Sequence, residues 1–332
     1  MTEETNTISR RTILIAGGTT VGALAVLGGG FWLGTTADKN LLPSGDATSS
    51  AAGYEPEILR SSGGKLTVDL VASYTDTTIG GKKARLKTYN GSTPGPTWIV
   101  KPGDEITVNF TNKLGEPTNL HTHGFHVSPS GNSDNVFVEV ADGETFTYQY
   151  TLGTDHSAAP YWYHPHHHGM AADQVFAGLY GAIIVEDGDP IPATTERVLV
   201  MSDISLQTDG NVAGANMMSK MMGREGDILL LNGQVQPNYA SDQNALERWR
   251  IVNSCTSRYM KLSVPGGTGT LLGKDSGRFA LPQKVTEFTL APGNRADLLV
   301  VDLAEGAHTA GLFTRNRFCA APVLICKEHL TR

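Results

Sequence analysis

Short stretches in which apolar and polar residues alternate, cut off by proline and glycine turns, dominate this sequence. Leu66, Val68, Leu70 and Ala72 alternate with Thr67 and Asp69, with Val71 interrupting the pattern. Ile106, Val108 and Phe110 alternate with Glu105, Thr107 and Asn109, and Phe146, Tyr148 and Tyr150 with Thr145, Thr147 and Gln149. Period two places one set of side chains on a core and the other in solvent, as in a half-buried strand. Residues 197–201, 228–231, 248–252, 286–290 and 296–301 are further strand candidates. Turn residues such as Pro94-Gly95-Pro96, Pro102-Gly103-Asp104 and Pro292-Gly293-Asn294 separate them. Many short strands so spaced predict an all-β chain of β-sandwiches.

A length of 332 residues predicts two domains, and a weak internal repeat supports two copies of one fold. Asn90-Gly91 is followed by a proline, a strand and Asn112; Asn232-Gly233 is followed by Pro237, a strand and Asn253 at nearly the same spacing. The boundary is expected at residues 187–192, where Gly, Asp and Pro cluster. The formal charge of −7 and the lack of any long Lys/Arg tract argue against nucleic acid as a partner. The three cysteines, Cys255, Cys319 and Cys326, are too few and of the wrong parity for a disulfide scaffold. Cys255 reads as a small buried hydrophobe.

The N-terminus carries Ser9-Arg10-Arg11-Thr12-Ile13-Leu14, which resembles the twin-arginine export motif, followed by a glycine-rich apolar run and the small residues Thr35-Thr36-Ala37. Residues 1–37 are therefore expected to be a signal peptide, with a membrane anchor as the competing reading. Residues 38–60, rich in Ser, Gly, Ala and Thr, read as a flexible linker. Export by this route implies a periplasmic, extracellular or cell-envelope location.

Eight of the ten histidines fall between His121 and His168. Leu120-His121-Thr122-His123-Gly124 and Trp162-Tyr163-His164-Pro165-His166-His167-His168-Gly169 hold most of them. Residues i and i+2 of a strand share a face, roughly 6.5–7 Å apart along the chain. His121 projects with His123, and His164 with His166. If two such strands lie side by side, four imidazoles converge, which suits closely spaced metal ions. Imidazole serves Cu, Zn, Fe and Ni, so ligand softness alone does not choose among them.

The two clusters resemble the first two copper motifs of the multicopper oxidases. The likeness extends over residues 127–137, 174–185, 231–233, 249–253 and 290–297, and covers roughly residues 64–314. It implies two tandem cupredoxin-like Greek-key β-sandwiches, residues 61–188 and 189–314, and a copper-dependent, laccase-like oxidoreductase. Such an enzyme oxidises phenols, amines or metal ions and reduces dioxygen to water. Carried over by motif, His121 binds the type 2 copper and His123, His164 and His166 the type 3 pair. His167 and His168 fall outside the ligand positions. Asp134 stands where the family often has an acidic residue near the cluster, to orient water or relay protons; as a turn residue among Asn132, Ser133 and Asn135 it could equally cap a loop.

No His-Cys-His occurs, so the family's type 1 site is not expected, and the four histidines supply only half of a trinuclear site. Residues 315–332 resemble nothing in the family and read as an atypical tail after truncation or a frameshift. Activity of this chain by itself is doubtful on that reading, and a separately encoded C-terminal cupredoxin domain is a candidate partner. The alternative is a non-catalytic copper-binding or scavenging protein. The run Met217-Met218-Ser219-Lys220-Met221-Met222, whose thioethers could hold Cu(I), would serve it, although packing or a mobile loop is the stronger reading of that run.

Overall fold

The computed structural model describes residues 52–300, apart from 243–244 and 265–268, together with the backbone of strands at 306–309 and 312–314. The signal, the anchor and the tail expected from the sequence, with Cys319 and Cys326, lie outside the described residues. The chain is almost entirely strand. Its first nine strands are β1 (Ile58–Arg60), β2 (Lys65–Ile79), β3 (Lys82–Tyr89), β4 (Gly95–Val100), β5 (Glu105–Lys113), β6 (His121–His123), β7 (Thr145–Thr151), β8 (Ala159–His164) and β9 (Gly181–Val185). They form a five-stranded sheet, β1-β4-β9-β8-β6, and a four-stranded sheet, β3-β2-β5-β7. The parallel β2–β5 and β4–β9 pairings require chain crossings of the Greek-key kind.

The alternation read from the sequence is the inward face. Leu66, Val68, Leu70, Ile106, Val108 and Phe110 are buried in one apolar core. Trp98 stacks on Tyr163 at 4.2 Å and 10°, and the Tyr163 hydroxyl donates to the Pro96 carbonyl at 2.7 Å. The core thereby pins β8 against β4. Val71 points the other way and is only partly exposed, so the apparent break leaves the strand continuous.

A short helix α1 (Ala171–Phe176) joins β8 to β9. The second half holds β10 (Thr195–Ile204), β11 (Ile228–Leu231), β12 (Asn238–Ser241), β13 (Glu247–Asn253), β14 (Met260–Ser263), β15 (Gly269–Lys274), β16 (Arg278–Val285), β17 (Glu287–Leu290), β18 (Arg295–Val300), β19 (Gly306–Thr309) and β20 (Leu312–Thr314). A six-stranded sheet, β11-β10-β13-β18-β15-β16, faces smaller sheets β17-β14-β20 and β12-β19. These are two cupredoxin-like sandwiches.

The internal repeat is built into matching hydrogen bonds. Asn90 and Asn232 both take a left-handed conformation (φ 50° and 48°), each followed by a glycine at φ 78° and 74°, the Asn-Gly turn chemistry of a tight hairpin. Asn90 Oδ1 accepts from the Val71 amide and its Nδ2 donates to Asp69; Asn232 does the same with Val200 and Val198. Asn112 and Asn253, both fully buried, each accept from the amide two residues on and donate to two backbone carbonyls.

Between the sandwiches, Trp162, Val175, Tyr180, Ala182, Val200 and Val252 make a small apolar core of their own. Asp187, just past β9, accepts hydrogen bonds from Arg248, Arg250 and Arg278 of the second sandwich. Cys255 is buried as expected, at 4% exposure. The packing reading of the methionine run is corrected. Residues Met217–Met222 form helix α2, N-capped by Asn216, and Met217, Met218, Met221 and Met222 are 49–80% exposed, with no core to pack on. Among the described residues no helix is long and apolar enough to cross a membrane.

Candidate metal centre

Strands β6 and β8 pair antiparallel with His121 opposite His164 and His123 opposite Trp162. This register brings three histidine rings to one face, and the fourth follows from the chain just past β8. The strand ends at His164, so His166 does not share it as the period-two reading expected. Instead the His166 amide donates to Asn119 Oδ1 at 2.6 Å, which holds the segment against the β6 side. Asn119 Nδ2 donates in turn to Val136, so one buried amide ties the His166 segment to the loop carrying Asp134.

The rings converge. Centroids lie 5.8 Å apart for His121–His123, 5.2 Å for His121–His164, 5.1 Å for His121–His166, 5.5 Å for His123–His164 and 6.2 Å for His164–His166. One nitrogen from each of His121, His123 and His164 falls within 4.8 Å of the others. His164 is buried, His121 and His123 are half-buried, and His166 faces solvent.

The outer nitrogens have assigned tasks. His121 Nδ1 donates to the Asp134 carboxylate at 3.0–3.1 Å, which leaves Nε2 for the cluster. Asp134 Oδ1 also accepts the Thr122 amide at 2.8 Å. Asp134 therefore holds both the Thr122 amide and the His121 ring. His164 Nδ1 donates to the Pro165 carbonyl at 2.9 Å, and its Nε2 faces His123 Nδ1 at 3.2 Å. Burial, the Arg295 guanidinium and the neighbouring His121 ring lower His123 to about 4. Burial and the same ring neighbours push His164 well below its ordinary value. Both are neutral at pH 7, with lone pairs free of proton competition.

Three supports escaped the sequence reading. Trp162 lies under two of the rings, stacked on His164 at 4.0 Å and on His123 at 5.0 Å. Its position two residues before His164 on one strand was the available signal. Arg295, 3% exposed, comes from the second sandwich. It donates to Pro160, sits over the Tyr161 ring at 5.5 Å and abuts Gly124, where a Cβ would collide with it. Gly124 at φ +90° is therefore required twice over in the His-Thr-His-Gly motif. Asn119 is the third support.

His167 turns away to Glu139, at 2.8 Å. His126 and His156 line a polar cavity of about 380 Å³ beside Gly124, with Phe125, Tyr161 and Ser276. His156 accepts the His126 amide and donates to Ser157, so neither of its nitrogens is free. Among the described residues the His121–His123–His164 group is the one cluster of three or more such side chains spaced to hold a metal ion.

The donor set fits copper: inward-facing imidazole nitrogens, with the outward N–H groups of His121 and His164 held by oxygen acceptors. The fold and the rings together define a cupredoxin-type protein with a histidine metal centre against the seam of two sandwiches. A multicopper oxidase domain profile matches residues 71–190. The chain is similar to the multicopper oxidase mco of Staphylococcus haemolyticus, 29% identical over 65% of this chain and 48% of that protein. It is also similar to the cell division protein FtsP of Proteus mirabilis, 30% identical over 70% of this chain and 50% of that one. The solved multicopper oxidase from Campylobacter jejuni, described as a metallo-oxidase, superposes with a TM-score of 0.70 at 30% identity, over 80% of this chain and 56% of that structure. This chain belongs to the multicopper oxidase family, whose cofactor is copper. It spans about half the length of the curated relatives it matches.

Proposed function

We propose that this chain carries the first half of the dioxygen-reducing copper centre of a laccase-like oxidase, with His121 as the type 2 ligand and His123, His164 and His166 as type 3 ligands. The single observation behind this reading is the convergence of four imidazoles, three of them offering nitrogens within 4.8 Å of one another. Copper, when bound, supplies the one-electron redox chemistry that couples oxidation of a reductant to reduction of dioxygen. The protein's own part is to hold the rings and the proton. Asp134 fixes the His121 tautomer and carries a carboxylate one hydrogen bond from the centre, where it can pass a proton inward. Trp162 stacks under the His123 and His164 rings, within 27° of both planes, and holds their orientation.

On this reading, residues 61–188 and 189–314 are the two domains, and the reductant is a phenol, an amine or a low-valent metal ion. Residues 1–37 direct twin-arginine export to the periplasm or cell surface. Four histidines do not complete a trinuclear site, and a further cupredoxin domain would supply the remaining ligands and the type 1 thiolate. Among the described residues the groups beside the buried Cys255 are Asp203, Arg258 and Glu225 rather than histidines, which does not suit type 1 copper.

Metal analysis with optical and EPR spectra tests the proposal. The purified chain is expected to bind Cu(II) without the intense blue thiolate-to-copper band, and His123→Ala with His166→Ala is expected to remove that copper. Unchanged copper stoichiometry in the double variant would refute the ligand assignment.

A further inference from the structure

The His123 ring is closely approached from the second sandwich as well as held from the first. If Gly293 carried a Cβ, that atom would stand 3.0 Å from His123 Cε1 and 3.3 Å from Nε2. The approach is centred on Cε1 and leans to the Nε2 side, with Nδ1 farther away at 3.9 Å and facing His164 Nε2 at 3.2 Å. The position of Gly293 is itself tightly fixed. Pro292 and Gly293 are the central residues of a four-residue turn in which the Asn294 amide donates to the Ala291 carbonyl at 3.0 Å. The proline followed by a glycine at φ +80° is the type II pattern, in which only glycine is unstrained at the second central position. Asn294 Oδ1 accepts the Ala291 amide at 2.9 Å, and the Gly293 amide donates to Asn253 at 2.9 Å. Asp275 anchors the turn from the next strand connection, accepting from Asn294 Nδ2 at 3.0 Å, the Arg295 amide at 3.1 Å and Arg295 Nη1 at 3.3 Å.

We propose that this turn, residues 291–294 of the second sandwich, is a positioning element for the metal centre of the first. It backs the Nε2 edge of His123, so that Nδ1 is the nitrogen presented to the ion. A ring with two donor atoms is ambiguous until something occupies one side of it. Trp162 fixes the plane of this ring, and Gly293 fixes which edge faces inward. The second sandwich, which contributes no histidine to the described cluster, thereby acts on the cluster's geometry. The contact also gives a reason, beyond turn geometry, for a glycine at 293: any side chain would press on a ligand.

The inference rests on the copper reading of the four histidines, and its test separates the two. Cu(II) affinity is measured by competition with a chromophoric chelator on the full chain, with EPR of the bound ion, and folding is checked by circular dichroism and thermal melting. Gly293→Ala is expected to press on the His123 ring and weaken Cu(II) binding about 10- to 100-fold, the scale on which disturbing a ligand's orientation acts, and to change the EPR hyperfine pattern. Gly143→Ala is the control. It places the same side chain at φ +81° with no atom within 4 Å of it, the histidine rings included; it is expected to lower the melting temperature without moving either copper readout. Asp275→Asn loosens the anchor while keeping a residue that tolerates the left-handed backbone at that position (φ 60°), and is expected to give a smaller loss with the same direction of spectral change. If Gly293→Ala fails to fold, Asp275→Asn decides the matter. Wild-type protein that takes up no copper would defeat the reading of the centre and this inference with it. Folded Gly293→Ala and Asp275→Asn that bind Cu(II) with wild-type affinity and spectrum would overturn this inference alone.

Discussion

Replacing Asp134 by asparagine should damage the metal centre more than deleting the side chain does, while the two variants rank the other way for stability. In the native structure Asp134 Oδ1 accepts from the Thr122 amide at 2.8 Å and His121 Nδ1, and Oδ2 lies 3.0 Å from the same ring nitrogen. Asparagine has one acceptor oxygen and one NH₂ group. Placing the oxygen toward Thr122 keeps the backbone bond, but leaves an N–H facing His121 Nδ1. Two donors then oppose each other, and the ring relieves the clash by moving its proton to Nε2. That is the nitrogen meant for the ion, so ligand strength falls by the roughly 10- to 100-fold typical of a lost orienting partner, or about 1.4–2.8 kcal/mol of binding free energy. Alanine leaves the ring free to choose either tautomer and should cost less affinity. It abandons the Thr122 amide, however, and loses a charge-assisted hydrogen bond in a partly buried site, about 1.5–3 kcal/mol of stability. Cu(II) competition titrations and thermal melts of the apo-protein read the two quantities separately. Copper affinity of folded Asp134→Asn equal to that of wild type would refute the claim that this carboxylate sets the tautomer.

Two further outcomes follow from the same geometry. Trp162→Ala removes a buried indole from the apolar seam and the platform under two rings, and should destabilise the protein by about 3–5 kcal/mol and broaden the Cu(II) EPR spectrum, whereas Trp162→Phe should recover most of both. Burial and Arg295 hold His123 at about 4 against an ordinary 6.5, so the unfolded chain binds a proton that the folded one refuses. Apo-protein stability present above pH 6.5 should fall as the pH drops toward 4, by about 3 kcal/mol from this residue, with His164 adding in the same direction. Chemical denaturation across that range, with His123→Ala as reference, would show a flat profile if the ring were not buried as a neutral group.

The sequence carried the fold through its alternation and its asparagine turns, because both are local. Leu66-Thr67-Val68 states its inward face without reference to any distant residue, and Asn90-Gly91 and Asn232-Gly233 signal a left-handed turn by composition alone. The pair His121 and His123 was legible for the same reason. What was not legible depends on partners far away in the chain. Gly293 and Arg295 meet Gly124 and His123 across some 170 positions, and neither carries a local signature beyond its turn. Trp162 was within reach of the strand period but reads equally well as core. His166 was expected in the strand of His164, yet β8 stops first and a side-chain amide, Asn119, takes over the task of placing it. The exposure of the methionine helix was hidden for the opposite reason: its period fits packing, but no sheet stands behind it.

The hydrogen bonds around the histidines separate two sets of nitrogens, and the separation bears on how tightly the centre can hold an ion. His121 Nδ1 and His164 Nδ1 are bound outward to Asp134 and Pro165. The nitrogens left pointing inward meet other ring nitrogens, as His164 Nε2 meets His123 Nδ1. Burying such polar atoms with only one another for company is unfavourable unless a proton or a cation lies between them. In the apo state neutral His123 can carry its one N–H on Nδ1 and donate it to His164 Nε2, while burial and Arg295 oppose a second proton on the ring. A metal ion differs from a proton in satisfying several lone pairs at once. The outward bonds, the indole and the turn of the second sandwich keep the inward nitrogens from rotating toward water. An ion entering this site has little ring orientation left to fix, and its affinity is reduced correspondingly little by ordering.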